Sequence, residues 1–267
     1  MNIALNGALG RMGRLVLEAA SDASDRVVAI VERPDHPQAA QLVQTPFGAL
    51  RLLADPAEIP DGVEVGLDFS TPAAAVAFAE SLARRGIPVV VGTTGLPPDA
   101  MPALRAASQH APILWAANMS LGVFCLHEMA ALARRVLGPS YDVEIIEVHH
   151  RHKRDAPSGT ALSLARALDP DSAAAWKAGR EGDVGPRPAV EIGIHAVRGG
   201  EVVGEHTVLF LGPHDRIEIT HRASSRRLFA EGALHLARRL VARGPGLYGV
   251  RDLLQTSGAA APAGRGS

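Results

Sequence analysis

Three glycines spaced three residues apart, Gly7, Gly10 and Gly13, separate an apolar run at residues 2–6 from a segment whose apolar positions fall on one helical face. Those positions are Met12, Leu15, Val16, Ala19 and Ala20. The pattern is a strand, a tight turn and a helix. Glycine at such a turn allows the bend, the close approach of backbone to a pyrophosphate, and close packing of helix on strand. Further short apolar runs at 27–31, 63–69, 88–91 and 112–116, with helical patterns between several of them, predict a parallel sheet covered on both faces. One helix start is well marked: Thr71 is expected to cap it and Pro72 suits its first position.

After about residue 120 the pattern changes, from alternating strand and helix to a strand-rich half. A long helix is predicted over 121–137, then a strand over 141–150 and a cationic loop. Strands follow at 190–197, 201–211 and 216–221, joined by turn signals at Gly199-Gly200 and Gly212-Pro213, which predicts consecutive hairpins in a mixed or antiparallel sheet. A last helix at 224–242 carries apolar residues at 229, 233, 236, 237, 240 and 241 and is expected to return to the first domain. The expected division is therefore a dinucleotide-binding domain over 1–119, a substrate and oligomerisation domain over 120–223, and a returning segment at about 224–255. The tail at 257–267 is too small and polar to pack and is expected to be mobile.

Lys and Arg total 27 against 28 Asp and Glu, a net charge of −1, so neither nucleic acid nor an anionic membrane gains a global attraction. Any anion site has to be local. A hydrophobic content of 47% with 21% charged residues excludes whole-chain disorder and a coiled-coil rod. The single cysteine, Cys125, excludes an internal disulfide and a cysteine-based zinc site. No basic stretch followed by a long apolar one opens the chain, and no segment approaches the roughly 20 apolar residues of a membrane helix. A cytoplasmic protein is expected.

The G-x-x-G-x-x-G spacing of the first turn departs from the commoner G-x-G-x-x-G, and a glycine turn alone is a weak signal. Glu32 strengthens it. It ends the second strand about 20 residues on, where an acid hydrogen-bonds the adenosine ribose hydroxyls of a dinucleotide. Arg33 follows, and a guanidinium there holds the 2′-phosphate of NADPH, so the pair points to tolerance of both NADH and NADPH. The alternative is a solvated ion pair at a strand end. Gly92-Thr93-Thr94-Gly95 and Ala116-Ala117-Asn118-Met119-Ser120 also sit where strands end, the side on which open α/β sheets bind ligands, although either can be only a turn.

The densest signal is the run from Glu147 to Ala161, EVHHRHKRDAPSGTA. Its three histidines invite a metal, but Arg151, Lys153 and Arg154 would repel a divalent cation, and no metal is expected. The same cations suit an anionic substrate. Ser158, Gly159 and Thr160 open a helical pattern, so hydroxyls and free amides can receive a carboxylate there. A solvated basic loop with a Ser/Thr cap is the plainer reading. Beside a reduced nicotinamide, however, hydride transfer to an unsaturated centre needs a proton or a cation, which His and Lys supply. Ser158 lacks the surroundings of a serine nucleophile, and His206 and His221, within strand patterns, read as packing or hydrogen-bonded residues.

With these residues in place, the chain closely resembles the 4-hydroxy-tetrahydrodipicolinate reductases, formerly dihydrodipicolinate reductases, of the bacterial diaminopimelate and lysine pathway. The likeness runs from Ile3 to about Gly249 and is carried by NGALGRMG at 6–13, DFSTP at 68–72, GTTG at 92–95, AANMS at 116–120, the 147–161 run, GEHT at 204–207 and ITHRASSR at 219–226. The resemblance implies a Rossmann-like α/β cofactor domain, a mixed-sheet α+β domain that forms the interface, and a homotetramer. It implies nucleotide contacts from Gly7, Ala8, Leu9, Gly10, Arg11, Met12, Glu32, Arg33, Gly92, Thr93, Thr94, Ala116, Ala117, Asn118 and Met119. It makes His149 the proton donor, Lys153 the second acid or charge partner, and His150 a substrate contact, with Gly159, Thr160 and Ser158 holding a carboxylate. Leu9 stands where the family often has glycine and Met119 where it often has phenylalanine.

The activity so implied is reduction, by NADPH or NADH, of the cyclic imine formed from 4-hydroxy-tetrahydrodipicolinate by loss of water. The small dicarboxylate substrate accounts for the positive charge and donors gathered at 149–160. Two alternatives stand beside it: a dinucleotide-binding sensor without catalysis, and a related reductase acting on another small acid. Which of His149 and Lys153 delivers the proton is not readable from residues that titrate together.

Overall fold

A computed structural model describes residues 1–171 and 173–254. The expected tail at 257–267 lies outside them. The chain runs β1 (Asn2–Asn6), α1 (Arg11–Asp22), β2 (Arg26–Val31), β3 (Leu42–Thr45), β4 (Gly48–Leu53), β5 (Val65–Asp68), α2 (Pro72–Ala83), β6 (Val89–Val91), α3 (Ala100–Ala107) and β7 (Pro112–Trp115). It continues with α4 (Leu121–Leu137), β8 (Asp142–His149), α5 (Gly159–Leu168), β9 (Ala175–Ala178), β10 (Glu191–Arg198), β11 (Gly204–Leu211) and β12 (Arg216–Ala223). It closes with α6 (Arg227–Leu240), β13 (Gly246–Tyr248) and α7 (Val250–Leu254). Two compact units result: Met1–Met119 with the segment from Arg227 onward, and Ser120–Arg226.

The first unit holds an eight-stranded sheet in the order β13-β7-β6-β5-β1-β2-β4-β3, parallel except for the β3–β4 hairpin. Chain order reverses at β1, with β2 on one side and β5 on the other, which in a doubly wound sheet opens a ligand crevice at the strand ends. Register aligns those ends. Asn6 pairs with Val31 and Asp68, Asp68 with Val91, and Val91 with Trp115, so four strands beside β1's own end finish on one line. The α2 helix packs close because Gly66 on β5 leaves room for Leu82 and Phe78, both fully buried. Each such side chain contributes roughly 1.5–3 kcal/mol of burial. Thr71 stands at the α2 N-cap with extended backbone, but its side chain makes no capping bond, so Pro72 alone supplies the expected helix-start chemistry.

In the second unit the sheet order is β12-β11-β8-β10-β9. One face is covered by α4 and α5, whose Leu126, Ala130, Ala161, Leu164 and Leu168 pack on apolar residues of β8, β10 and β11. The expected hairpin at Gly199-Gly200 does not form: β10 is parallel to β8, and β8 lies between β10 and β11. Insertion of β8 satisfies the backbone of both neighbours and buries its own alternate apolar residues. The glycine pair instead carries the chain across the end of β8, where Gly199 N donates to His149 O (3.0 Å), His150 N to Val202 O (2.7 Å) and Arg151 N to Gly200 O (3.1 Å). The β11–β12 pair is a true antiparallel hairpin, as expected at Gly212-Pro213.

Candidate functional site

In the first unit the line of strand ends places the nucleotide-side residues together, since Gly7, Glu32, Gly92 and Ala116 each follow it directly. Gly7 has φ +75°, and a side chain on it would run into the Phe69 carbonyl. One on Gly13 would meet the backbone of Gly7 and Ala8, so the helix start can lie against the turn only as glycine. Gly10 caps α1 with no side chain, and the first turn of α1 carries no acid, which leaves helix amides to an anion. Ala8 is buried, Leu9 and Met12 half-buried, and Arg11 exposed.

Glu32 reaches back to the turn, its Oε1 accepting from Leu9 N at 3.0 Å. Arg33 is exposed, with its Nε 3.5 Å from an Asp35 oxygen. Both border a cavity of about 340 Å³ lined also by Asn6, Val31, Pro34 and Ala74. An uncapped helix start, a carboxylate beside the turn and an open cavity next to it fit a pyridine nucleotide.

The hydroxyl of Thr93 is not open to a ligand. It donates to Asp68 Oδ2 (2.5 Å) and accepts from Ser70 N (3.0 Å), whereas the neighbouring Thr94 is exposed. Asp68 also accepts from Asn6 Nδ2 at 2.8 Å and from Ser70. Burial pushes its carboxyl up to about 6 from 3.8 against those hydrogen bonds. Gly92 leaves space for the Phe69 ring. Ala116 and Asn118 are half-buried and Ala117 exposed, while Met119 keeps only 2% of its surface exposed and turns its side chain into the protein.

In the second unit the alternation of β8 puts Val143, Ile145, Glu147 and His149 on the helix-covered face. The face is apolar at one end and polar at the other. His206 pairs with Glu147 and with His221 across the sheet, and Arg198 lies opposite His149. His149 is 9% exposed and stands edge-on to His206, their ring centroids 5.2 Å apart. Burial lowers the His149 pKa, Glu147 opposes that, and Lys153 and Arg198 add to it. His206 is pushed down to about 3, first by burial and then by His149, and is neutral at physiological pH. A Cβ on Gly204 would lie 3.0 Å from His149 Nε2, so glycine keeps the outward edge of that ring clear.

Lys153 pairs with Asp155 at 2.9 Å, whereas Arg151, His152 and Arg154 are exposed. Nε2 of His150 lies 3.3 Å from an Arg226 nitrogen. Ser158 caps α5: its Oγ accepts from Ala161 N at 3.2 Å and lies 3.2 Å from His206 Nε2, and its own N–H goes to Glu147. Ser158 is therefore buried in support of the helix, and Gly159 and Thr160 form the accessible start of α5. Sequence reasoning gave no role to Glu147 or Arg198. The signal for Glu147 is its place two residues before His149, which sets both side chains on one strand face. Among the described residues no cluster of three or more His, Cys, Asp or Glu could hold a metal ion.

Residues 1–119 match the family described as "Dihydrodipicolinate reductase, N-terminus", and residues 122–254 match "Dihydrodipicolinate reductase, C-terminus". The chain is 48% identical over 263 residues to the 4-hydroxy-tetrahydrodipicolinate reductase of Thermomicrobium roseum, covering 95% of this chain and 99% of that one. To the reductase of Thiobacillus denitrificans it is 44% identical over 262 residues, covering 95% and 98%. The fold is similar to that of a dipicolinate-bound dihydrodipicolinate reductase from Paenisporosarcina sp. TG-14, with TM-score 0.78, 22% identity and coverage of 96% and 99%. The two matched segments, the full-length relatives and the two-unit fold agree: the chain belongs to the dihydrodipicolinate reductase family.

Proposed function

We propose that this chain reduces 4-hydroxy-tetrahydrodipicolinate, through the imine left by loss of water, to tetrahydrodipicolinate, with NADPH or NADH as reductant. The observation that carries this reading is a histidine held by a buried carboxylate at the end of β8, followed in sequence by Lys153 and the start of α5. The nucleotide, when bound, supplies a hydride. The chain's residues do the rest: Gly159 and Thr160 receive a substrate carboxylate at the α5 N-terminus, and Lys153 offsets its charge. His149 gives its Nε2 proton to the ring carbon that becomes electron-rich when the adjacent centre is reduced. The burial of the neutral His206 keeps a second charge away from that proton.

On the nucleotide side, Gly7, Ala8, Leu9, Gly10, Arg11 and Met12 cradle the pyrophosphate, Glu32 serves the ribose and Arg33 the 2′-phosphate. Gly92, Thr93, Thr94 and residues 116–119 border the nicotinamide. We further propose a cytoplasmic homotetramer. The face of the mixed sheet opposite α4 and α5 carries Ile146, Val148, Leu209 and Val197, the last 48% exposed, and copies of the chain would cover it.

The test is a coupled assay in which the preceding synthase makes the substrate from pyruvate and aspartate semialdehyde and loss of reduced-nicotinamide absorbance is followed. Rapid oxidation that needs every component is expected. His149→Gln should lower kcat by roughly 10²–10⁴, and Lys153→Ala should lower kcat and raise KM. Tight nucleotide binding with no turnover would refute the proposal.

A further inference from the structure

We propose that Glu147 is a positioning residue for the proton transfer, fixing the tautomer and raising the proton affinity of His149, and that Arg198 holds Glu147 in place for it. The inference rests on His149 as proton donor. Glu147 is 0% exposed and every one of its acceptor positions is used. Oε1 accepts from Ser158 N (2.9 Å) and Arg198 Nη2 (2.7 Å), and Oε2 from Arg198 Nη1 (2.7 Å) and His149 Nδ1 (2.5 Å). A main-chain N–H and a guanidinium can only donate, so they keep Glu147 an acceptor. Arg198, His149 and the Ser158 N–H together hold its pKa below the ordinary carboxylate range, against the burial that raises it.

The tautomer follows from that geometry. With an obligate acceptor at Nδ1, neutral His149 carries its proton on Nδ1, and Nε2 is the atom that gains and loses one. Nε2 is also the atom that Gly204 leaves uncovered. The groups facing the ring are Glu147 on its own strand, Arg198 from β10, neutral His206 from β11 and Lys153 from the following loop, with His221 and His127 around His206. Two of these are cations, and Glu147 is the carboxylate that opposes them. Its second bond, to Ser158 N at the α5 cap, ties the proton donor and the carboxylate-receiving helix start to a single buried group. Arg198 extends the tie, since its Nη2 also donates to Asp155 O (2.7 Å), and Asp155 pairs with Lys153.

The test compares wild type, Glu147→Gln and His149→Gln. Histidine ring-nitrogen NMR, with the His149 signals assigned by their loss in H149Q, should show the Nδ1–H tautomer in the neutral wild-type ring. In E147Q the His149 pKa should fall by about one unit or more, because the opposing negative charge is gone. Turnover should fall about 10–100-fold with KM within about twofold, and the pH dependence of kcat should move to lower pH. An Nε2–H tautomer in the wild type overturns the proposal without any variant. So does an E147Q pKa within a few tenths of wild type, or a loss of kcat and KM in proportion to a lowered melting temperature. If E147Q does not fold, Glu147→Asp, which keeps the charge and breaks the 2.5 Å contact, takes its place: the His149 pKa should fall by less than with a neutral side chain, the Nδ1–H tautomer should lose its dominance and turnover should drop, and a tautomer and turnover both unchanged overturn the proposal. Unchanged turnover in H149Q would remove His149 as donor and, with it, any part of Glu147 in the proton transfer, and the tautomer and pKa would then report only the hold of Glu147 on the ring.

Discussion

Replacing Asp68 by Asn should change how the stability of the first unit depends on pH. Asp68 is fully buried and, against three side-chain donors, keeps a pKa of about 6 where an unfolded aspartate has 3.8. A raised folded pKa means stability that is whole below the unfolded value and lost as pH rises through the folded one. The shift of about two units corresponds to about 3 kcal/mol lost between about pH 4 and pH 7. Asn is isosteric and neutral, so the variant should not show that loss. Its amide would donate to Thr93 where the carboxylate accepted, and the forced rotation of that hydroxyl takes back about 1 kcal/mol. That part is the same at every pH, so the slope is the readout. Urea unfolding in a Trp176→Phe background, where fluorescence reports Trp115 on β7 of the same sheet, should show D68N gaining on the parent from pH 4 to pH 7. Parallel pH curves for the two proteins would refute the reasoning.

Gly204→Ala should lower kcat with little change in folding stability, because the new methyl crowds His149 Nε2 and no backbone strain is introduced; a measured kcat within twofold of the parent would contradict it. Arg33→Ala should raise KM for NADPH roughly tenfold with NADH little affected, and Glu32→Ala should hurt both, since it also releases Leu9 N; steady-state kinetics with each nucleotide decide this. Ser158→Ala should cost about 1 kcal/mol of stability through the lost α5 cap, measured by urea unfolding. If the proposed homotetramer forms through this sheet face, light scattering should give a tetramer mass for the parent and a smaller one for Val197→Asp with far-ultraviolet circular dichroism kept, and equal masses for the two would refute it.

Much of this molecule is legible residue by residue where the signal is local. The glycine turn, the apolar period of α1, the Pro72 helix start and the 17-residue α4 all depend on neighbours a few positions away. What escapes is what distance decides. Nothing near Gly199 says that β8 will separate β10 from β11, because parallel pairing is set by which strand can bury its alternate face. Thr93 reads as a ligand contact until Asp68, 25 residues earlier, takes its hydroxyl. Glu147 stands at the head of the densest run in the chain, yet its role depends on Arg198, 51 residues away, whose sequence surroundings are those of any strand end before a glycine turn. The β3–β4 hairpin lacks a tight apolar alternation and lies largely open, so periodicity gives it little away.

The discontinuous make-up of the first unit sets an order of manufacture. The second unit is one unbroken stretch and can close as soon as it has been synthesised. The first cannot, although its strands leave the ribosome earlier. Its α1 face waits for α6, and the edge of β7 waits for β13, both encoded in the last part of the chain. The half made first is the half finished last. Until then an apolar helix surface and a bare strand edge are exposed, and a nascent chain stalled after Arg226 would offer chaperones those two surfaces rather than a completed nucleotide fold.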